Sequence, residues 1–523
     1  MSLAAVAVFA RERELATPRD LHRAHYETSA GCTRCHADHA ASFARTFHRT
    51  MTREARGADV RAPFAGERVS YFGVPARMSK RVDGTPLMQL GGGAIPERTI
   101  EIALTVGSRR YQQYIGRVGG ELVRLPWAYH LEERRWFHMN GAFLTADPPD
   151  AIEEPDYLRH VTRWNDNCIF CHNVAPNPGR SVQAGHARFD SRVEELGVAC
   201  EACHGPGSEH VRVNRDPYRR YRLHLSQHAD PTIVNPKRLS QERSLDLCGR
   251  CHGQRMTDDV SSFLRAGDPF IAGDDLSLYS SPLWRDSTLG GQASFAARFW
   301  EDGTPRLTAY EYQGVLLSRC SAGGELTCLS CHDMHAGDPR GQLRADLTRD
   351  QLCTQCHREL EPPAAQAAHS GHDEKVRCTD CHMPAIVYGV MASHPSHRIE
   401  IPDPERDQRR ERPDACTLCH IDRTRAWALT ARKQARHEAR PALSQAELQL
   451  LGGDPLTRAL TAAQLGEPGL AGDDRARTTG LLLEVMERDP YPGVRHLAYR
   501  SLRAREPELD DVFTPEAPKH ERA

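Results

Sequence analysis

The sequence predicts a mainly α-helical and irregular core, interrupted by a β-rich insert and followed by a helical C-terminal segment. Eight short cysteine motifs are spread over residues 32–420, and the last four follow each other at short spacings, with little room between them for anything except a helix or a loop. Apolar residues alternate along residues 100–106, which is the period of a strand. Beyond residue 426 apolar residues recur with the period of an α-helix.

Composition limits both the core and the class of partner. The chain has 523 residues, enough for two to four domains, yet only 39% of them are hydrophobic. A core made of protein alone would therefore be thin. The formal net charge is −2, and a nucleic-acid-binding protein needs a strongly basic face, so we expect no nucleic-acid partner.

Sixteen of the 17 cysteines fall into the pattern CxxCH. The motifs are Cys32-Cys35-His36, Cys168-Cys171-His172, Cys200-Cys203-His204, Cys248-Cys251-His252, Cys328-Cys331-His332, Cys353-Cys356-His357, Cys378-Cys381-His382 and Cys416-Cys419-His420. This is the attachment pattern of c-type haem, in which two thiols bond the porphyrin and the adjacent imidazole is the proximal iron ligand. The sequence predicts eight covalently bound haem c groups.

Two other uses of paired cysteines fit less well. Zinc ribbons combine two CxxC pairs into a Cys₄ site, but zinc gives no reason for a histidine after every second cysteine. Histidine makes up 27 of 523 residues, so chance would place it after one pair of eight at best. Disulfide pairing explains the histidines no better.

Haem attachment also predicts the compartment. Because haem is joined to CxxCH outside the cytoplasm, we expect a periplasmic or cell-surface protein. Residues 3–10 are apolar but too short for a membrane span and incomplete as a signal peptide. We interpret them as the tail of a signal or anchor whose beginning is missing, which would permit membrane association; the alternative is an ordinary frayed terminus.

The motif positions divide the chain into segments. We expect an N-terminal tail at 1–30, a first haem segment at 31–61, the β-rich insert at 62–144, a core with seven haems at 145–425 and a helical segment at 426–523. The core contains a haem-free insert, 253–318, with a hairpin pattern at Asp302-Gly303.

Within the β-rich insert, Gly107-Ser108 should end the first strand. Tyr111, Tyr114 and Ile115 continue the apolar pattern beyond this break, and further strands are expected at Glu121–Leu125 and Arg135–Met139.

Helix signals mark the C-terminal segment. Asp422 is the expected N-cap of the first helix, and Ser444 with Glu447 forms a capping-box pattern. Two later helical runs are separated by Asp489-Pro490 and resemble one HEAT-type helical pair. The alternatives are a helical tail packed on the haem core and a platform for docking partners.

The residues around the motifs resemble those of bacterial multihaem cytochromes. The runs are CIFCHN at 168–173, GVACEACHGPGSEH at 197–210, IVNPKRL at 233–239, LTCLSCHDMH at 326–335 and CTDCHMP at 378–384. That superfamily includes pentahaem nitrite reductase, hydroxylamine oxidoreductase and small tetrahaem carriers, and the resemblance covers about residues 31–425. It implies a multihaem cytochrome fold with closely stacked haems that conduct electrons. Pentahaem nitrite reductases mark the catalytic haem with CxxCK, whereas all eight motifs here end in histidine.

Nineteen further histidines are available as distal ligands. His335, in a CHxxH pattern usual in the family, is the first candidate, followed by His210 and by His372, with His369 as its competitor. Either His397 or His394 is expected to ligate, and His48, His39 and His186 are further candidates. His130 and His138 are expected to be structural or solvated, and His22, His25, His437, His496 and His520 to be surface residues.

The resulting prediction is an octahaem electron-transfer protein with mostly bis-histidine haems. Its redox partners would be other cytochromes or a membrane quinol-oxidising module. The alternative is a reductase or oxidoreductase of small nitrogen or sulfur compounds, in which one haem lacks a sixth protein ligand and an arginine or histidine pocket stabilises the anion. The sequence assigns no catalytic residue.

Overall fold

The computed structural model describes residues 21–522, apart from residues 93–94, 149–150, 227, 290–292, 308, 338–340, 390, 432–440 and 510–512. The N-terminal apolar run and His437 lie outside the described residues. In the described part of the chain, no helix has both the length and the apolar character needed to cross a bilayer.

A nine-stranded antiparallel sheet forms the β-rich unit. Its strands are β1 Thr52–Glu54, β2 Glu67–Tyr71, β3 Val74–Lys80, β4 Pro86–Gly92, β5 Ile95–Val106, β6 Tyr111–Val118, β7 Glu121–His130, β8 Arg135–His138 and β9 Thr162–Arg163. Strands β2 to β8 pair in sequence order, β1 adds to β5 and β9 adds to β7. The predicted strands are confirmed, and the sheet extends beyond both ends of the expected insert.

Strand β5 packs against two different cores. Ile100 and Ile102 belong to the main core of the sheet, whereas Leu104 and Val106 pack with Trp164 beside the second CxxCH motif. The pairing of β5 with β6 shifts register between Ile102 and Leu104. Such a bulge bends a strand, so one alternating run serves both the sheet and the haem-binding region.

The predicted break after β5 is a tight turn. Gly107 has φ +89°, and a Cβ there would lie 2.7 Å from the carbonyl oxygen of Tyr111. Only glycine adopts this backbone conformation without strain.

Short helices and loops make up the rest of the motif-bearing region. The helices are α1 Thr28–Thr33, α2 Ala37–Phe43, α3 Met139–Ala142, α4 Glu154–Tyr157, α5 Cys200–His204, α6 Ser208–Val213, α7 Pro217–Ser226, α8 Gln241–His252, α9 Val260–Ala266, α10 Glu311–Leu316, α11 Arg319–Ala322, α12 Gln351–Thr354, α13 Pro363–Ser370, α14 Cys378–His382, α15 Pro404–Arg409, α16 Ala415–Cys419 and α17 Arg425–Ala431. A π-helical turn spans Trp164–Cys168. Two-residue to four-residue strands pair locally: β10 Asn173–Val174, β11 Arg180–Gln183, β12 His186–Phe189, β13 Glu195–Leu196, β14 Arg255–Met256, β15 Ser281–Pro282, β16 Thr288–Leu289, β17 Ala293–Ser294, β18 Ala385–Tyr388 and β19 Ala392–Pro395.

The predicted hairpin in the haem-free insert is smaller than expected. Asp302-Gly303 forms the turn, but the two arms share only one isolated bridge, between Phe299 and Pro305. The Asp302 carboxylate instead accepts hydrogen bonds from the Thr304 hydroxyl and backbone amide.

Four helices close the chain: α18 Gln445–Gly452, α19 Pro455–Gln464, α20 Arg475–Arg488 and α21 Pro492–Arg505. The Ser444–Glu447 capping box is confirmed, since each side chain bonds the other residue's backbone amide. The Asp422 cap is wrong, because the Thr424 hydroxyl accepts from the Trp427 amide at the start of α17. The HEAT-type arrangement stays a prediction.

Helix α21 joins the C-terminal helices to the β-rich unit. Arg495, fully buried, forms an ion pair with Asp147 at 2.9 Å. Arg135 of β8 forms an ion pair with Glu516 at 3.0 Å. His496 is 1% exposed and lies against this interface, so its assignment as a surface residue is wrong. His130 and His138 are likewise buried, as structural residues of the sheet.

Candidate functional site

The motifs that begin at Cys32, Cys328, Cys353 and Cys416 each form a helical turn that presents its groups together. The backbone amide of the histidine donates to the carbonyl of the first cysteine, as between His332 and Cys328 at 2.9 Å and between His420 and Cys416 at 2.8 Å. Residues three apart share one face of such a turn. The two thiols therefore face one side, and the histidine follows directly.

The cysteines form neither of the two alternative structures. None of the 17 cysteines forms a disulfide. Among the described residues, the only three-residue cluster with metal-ligand geometry contains no cysteine. The Cys₄ site that zinc ribbons need is therefore not formed there.

Six motif histidines each face a second histidine ring. The ring centroids are 6.3 Å apart for His36 and His210, 5.9 Å for His204 and His335, 5.8 Å for His252 and His48, 6.3 Å for His332 and His397, 6.1 Å for His382 and His369, and 6.1 Å for His420 and His372. Metal–imidazole bonds are about 2 Å long and a ring centre lies ~1.1 Å behind its nitrogen, so two imidazoles on opposite sides of one metal have centres about 6.2 Å apart. All six distances match this value.

Hydrogen bonds at the other ring nitrogen favour metal binding by the motif histidines. Nδ1 of His204 lies 2.7 Å from the Val234 carbonyl, Nδ1 of His332 2.9 Å from that of Gly341, and Nδ1 of His382 2.8 Å from that of Glu400. A carbonyl only accepts, so Nδ1 carries the proton and Nε2 keeps a free lone pair. A hydrogen bond of this kind orients a metal-ligating histidine.

Three of the opposing histidines have partners of the same kind. Nδ1 of His372 lies 2.9 Å from the Ser370 carbonyl, and Nδ1 of His48 faces the Gln342 side-chain oxygen. Nδ1 of His210 lies 3.1 Å from the Asp230 carboxylate and 3.1 Å from the Asn214 side-chain nitrogen. A proton on Nδ1 directed at the carboxylate would leave Nε2 free to bind a metal.

Burial keeps several of these rings neutral, as metal ligation requires. Burial lowers the pKa of His48 to about 4 and that of His397 to about 4. His252 is the exception: burial lowers its pKa, but the Glu311 carboxylate beside it outweighs burial and raises the pKa to about 9.

The structure places the predicted distal candidates unequally. His335, His210, His397 and His48 each lie opposite a motif histidine, as does His372.

His369 was expected only to compete with His372, yet each of the two faces its own motif histidine. Their neighbouring positions in sequence gave no sign of this division. His394 lies 3.3 Å from Glu311. The ring centroid of His39 lies 6.4 Å from that of His36 and 4.5 Å from that of His335, so His36 has two histidine rings near it, His210 and His39. His186 is exposed on β12, and the structure brings no motif histidine against it.

Two motif histidines, His172 and His357, face no histidine ring within the described ranges. His357 is 57% exposed and lies 3.7 Å from Glu359. Nδ1 of His172 is shielded from solvent without a hydrogen-bond partner, and burial lowers the pKa of this ring to about 4. These two motifs differ from the other six in that no described histidine ring faces their histidine.

Thiols of different motifs also contact each other. Cys32 lies beside Cys200, Cys171 beside Cys251, Cys248 beside Cys328, and Cys353 beside Cys378. Helices α14 and α16, which carry the last two motifs, are in contact as well. The motifs are therefore neighbours in space and not only in sequence.

A separate cluster, His130, Glu133 and His496, resembles a metal site. The hydrogen bonds at Nδ1 of its two histidines are, however, the reverse of those at the motif histidines. Nε2 of both histidines faces Oε1 of Glu133, at 3.7 Å for His130 and 3.1 Å for His496. However, Nδ1 of His496 accepts from Arg135 at 2.9 Å and Nδ1 of His130 accepts from the Glu133 amide at 3.1 Å. Each neutral ring must then carry its proton on Nε2, which leaves no lone pair on that nitrogen for a metal.

Comparisons with known proteins agree with the motif geometry. Residues 321–362, which include the fifth and sixth motifs, match the family model described as "Doubled CXXCH motif". The multiheme cytochrome MtrA of Shewanella baltica (strain OS185) is 22% identical over 263 residues, which is 49% of this chain and 53% of that protein. The chain thus matches about half the length of this relative.

A solved structure, the outer cell wall cytochrome OcwA, superposes with TM-score 0.50 and 15% identity, covering 93% of this chain and all of that one. This likeness concerns the fold. The motifs and the comparisons together define a c-type cytochrome. More specifically, the chain is a multihaem c-type cytochrome with a fold similar to that of OcwA.

We expect the haem-loaded protein to contain no stoichiometric zinc, because the His130–Glu133–His496 cluster offers protons where a metal needs lone pairs. Elemental analysis checks this. His496→Gln should leave the metal content unchanged and lower the unfolding free energy by about 1–3 kcal/mol, since Arg135 and Glu133 lose a buried partner. One equivalent of zinc that disappears in this variant would contradict the prediction.

His130 should make the fold sensitive to acid. Burial, reinforced by Arg135 and Arg500, lowers its pKa to about 3, below the value of about 6.5 in the unfolded chain. Between these values the unfolded state binds the extra proton, so stability is complete above pH 6.5 and falls by about 1.4 kcal/mol per pH unit below it. His130→Asn should flatten the unfolding free energy measured from pH 6.5 to 4; an unchanged slope would contradict this.

Proposed function

We propose that the chain binds eight haems covalently and transfers electrons along them. The observation that carries the proposal is the placement of a second imidazole opposite six motif histidines, at the spacing of two ligands on one metal. The count of eight rests on the eight motifs. The relationship to pentahaem nitrite reductase and hydroxylamine oxidoreductase stays a prediction.

The residues present fit haem c. The 16 motif cysteines would form the thioethers, and the motif histidines would ligate the irons through Nε2. His210, His335, His48, His397, His369 and His372 would be the second axial ligands, in the order of the motifs that they face. A haem supplies an iron that gains and loses one electron without bond rearrangement in the protein. The protein's part is to hold the two imidazoles of each pair in the correct orientation.

Axial saturation supports the carrier function. An iron with two imidazole ligands has no position left for a substrate. In the described residues a second histidine ring faces the histidine of six of the eight motifs, which supports electron transfer over catalysis for most of the molecule.

Contacts between the motifs support a continuous route. Thiol contacts join the first motif to the third, the second to the fourth, the fourth to the fifth and the sixth to the seventh. Cys203 lies near Cys251, which joins the third motif to the fourth, and Cys331 lies near Cys356, which joins the fifth motif to the sixth. Helix α14 contacts α16, which joins the seventh motif to the eighth. The second motif is a side branch of this series.

The chemistry of haem attachment supports a location outside the cytoplasm, and OcwA is described as an outer cell wall cytochrome. We propose that the protein is periplasmic or exposed at the cell surface. Its partners would be other cytochromes or a membrane quinol-oxidising module.

One observation favours a second function at the second motif. His172 has no histidine opposite it among the described residues, and the half-buried Arg124 lies close enough to lower the pKa of His172 further. The Arg124 guanidinium donates to the His160 carbonyl and the Gln113 side chain, which hold it in place. An open axial position beside a guanidinium suits a small anionic substrate such as a nitrogen or sulfur oxyanion.

His335→Ala should convert one low-spin haem to high spin, because it removes the second imidazole at the third motif. His186→Ala is the matched control, since this exposed histidine faces no motif. Electron paramagnetic resonance and the haem-to-protein ratio of both variants check the prediction. High-spin signals in neither variant, at full haem content, would contradict the assigned pairing.

If the second motif holds an open haem, cyanide should bind the wild-type protein at one or two haems and no more, since only His172 and His357 lack an opposing ring. Arg124→Gln should weaken the binding of nitrite about tenfold or more, because a buried charge-assisted contact contributes about 1.5–3 kcal/mol. Optical titration measures both. A wild-type spectrum unaffected by either ligand would remove the second function and leave the carrier function intact.

A further inference from the structure

Helix α7, Pro217–Ser226, is exposed along its entire length. None of its residues is buried, and Tyr218, Tyr221 and Leu225 are 75%, 72% and 72% exposed. Their spacing of three and four residues places them on one helical face. Three large apolar side chains side by side in water mark a surface suited to contact with another molecule.

The helix is also basic. Arg219, Arg220, Arg222 and His224 lie within it, and it contains no acidic residue. Arg222 follows Tyr221 and flanks the apolar face, whereas the chain as a whole has a net charge of −2. The positive charge is therefore local, and it is complementary to an acidic partner.

A short hydrogen-bonded path connects α7 to the first motif. Arg219 donates to Oδ1 of Asp230 at 2.9 Å, and Oδ2 of Asp230 lies 3.1 Å from Nδ1 of His210. Asn214 donates to the same Oδ2 at 2.8 Å. His210 in turn faces His36, the motif histidine. One carboxylate thus separates a side chain of α7 from the imidazole opposite His36.

We propose that α7 is the docking surface for an acidic redox partner protein that exchanges electrons with the chain at the first motif. This inference rests on the proposed electron-transfer function and adds the place and charge of the partner. Tyrosine and arginine are the residues that most often dominate protein–protein binding energy, and α7 combines them around Tyr218, Tyr221 and Arg222. The apolar face has only three large residues, fewer than a membrane-surface helix normally presents.

The test measures stopped-flow reduction of the haem-loaded full chain by reduced flavodoxin, an acidic one-electron carrier, at low and high ionic strength. Arg222→Glu should lower the second-order rate constant about threefold or more at low ionic strength, because charge complementarity acts mainly on association. Tyr218→Ala with Tyr221→Ala should lower it further. Arg188→Glu, an equal charge reversal on exposed β12, is the matched control and should leave the rate unchanged.

Reduction by dithionite separates the two levels of the proposal. All variants should accept electrons from this small reductant as the wild type does. A chain that dithionite does not reduce would overturn the electron-transfer function itself. Two results would overturn the docking surface alone, provided that dithionite reduces the chain normally. One is a full flavodoxin rate in Arg222→Glu, and the other is a wild-type flavodoxin rate that does not depend on ionic strength. Binding to anionic lipid vesicles that is lost in the tyrosine variant would assign α7 to a membrane and would also overturn protein docking.

Discussion

The orientation of the histidine rings is the constraint on which the rest of the structure depends. A carbonyl or side-chain oxygen at Nδ1 fixes the proton on that nitrogen and leaves Nε2 free to bind a metal, as at His204, His332 and His382. The opposite arrangement at His130 and His496, where Nδ1 accepts from a donor, excludes metal binding by two equally buried rings. At these residues the hydrogen bond at Nδ1 separates proposed haem ligands from structural histidines.

Oxygen atoms of loops and short turns are enough to orient these rings, so the motif-bearing region needs little regular structure. Its helices are short, and its longest, α8, has 12 residues and ends at a motif histidine. Extended apolar cores occur elsewhere, in the β-rich unit and in the C-terminal helices. Each of these two units has its own apolar core. Residues of β5 also pack beside the second motif, and Arg495 of α21 connects the C-terminal helices to Asp147. The polar composition of the chain is consistent with a core that haem completes.

Sequence reasoning was strongest where the chemistry is local. The CxxCH pattern contains both thiols and the proximal ligand within five residues, and alternation along β5 predicted a strand that the structure confirms. It was weaker for long-range partners: His48 and His252 are separated by about 200 residues, and their proximity depends on the whole fold. His186 and His369 show the same limit. Sequence position favoured His186, which faces no motif histidine, and treated His369, which faces His382, only as a competitor. Similarly, the bulge in β5 and the Thr424 cap depend on neighbours that periodicity does not reveal.

The central claim is that two specified imidazoles bind each of six irons. An experimental structure of the haem-loaded protein, with iron located by anomalous scattering, tests it most directly. We predict eight irons, six of them lying between the paired rings and bonded to Nε2 on both sides. Irons bonded to other partners, or a different metal at the cysteine motifs, would contradict the account.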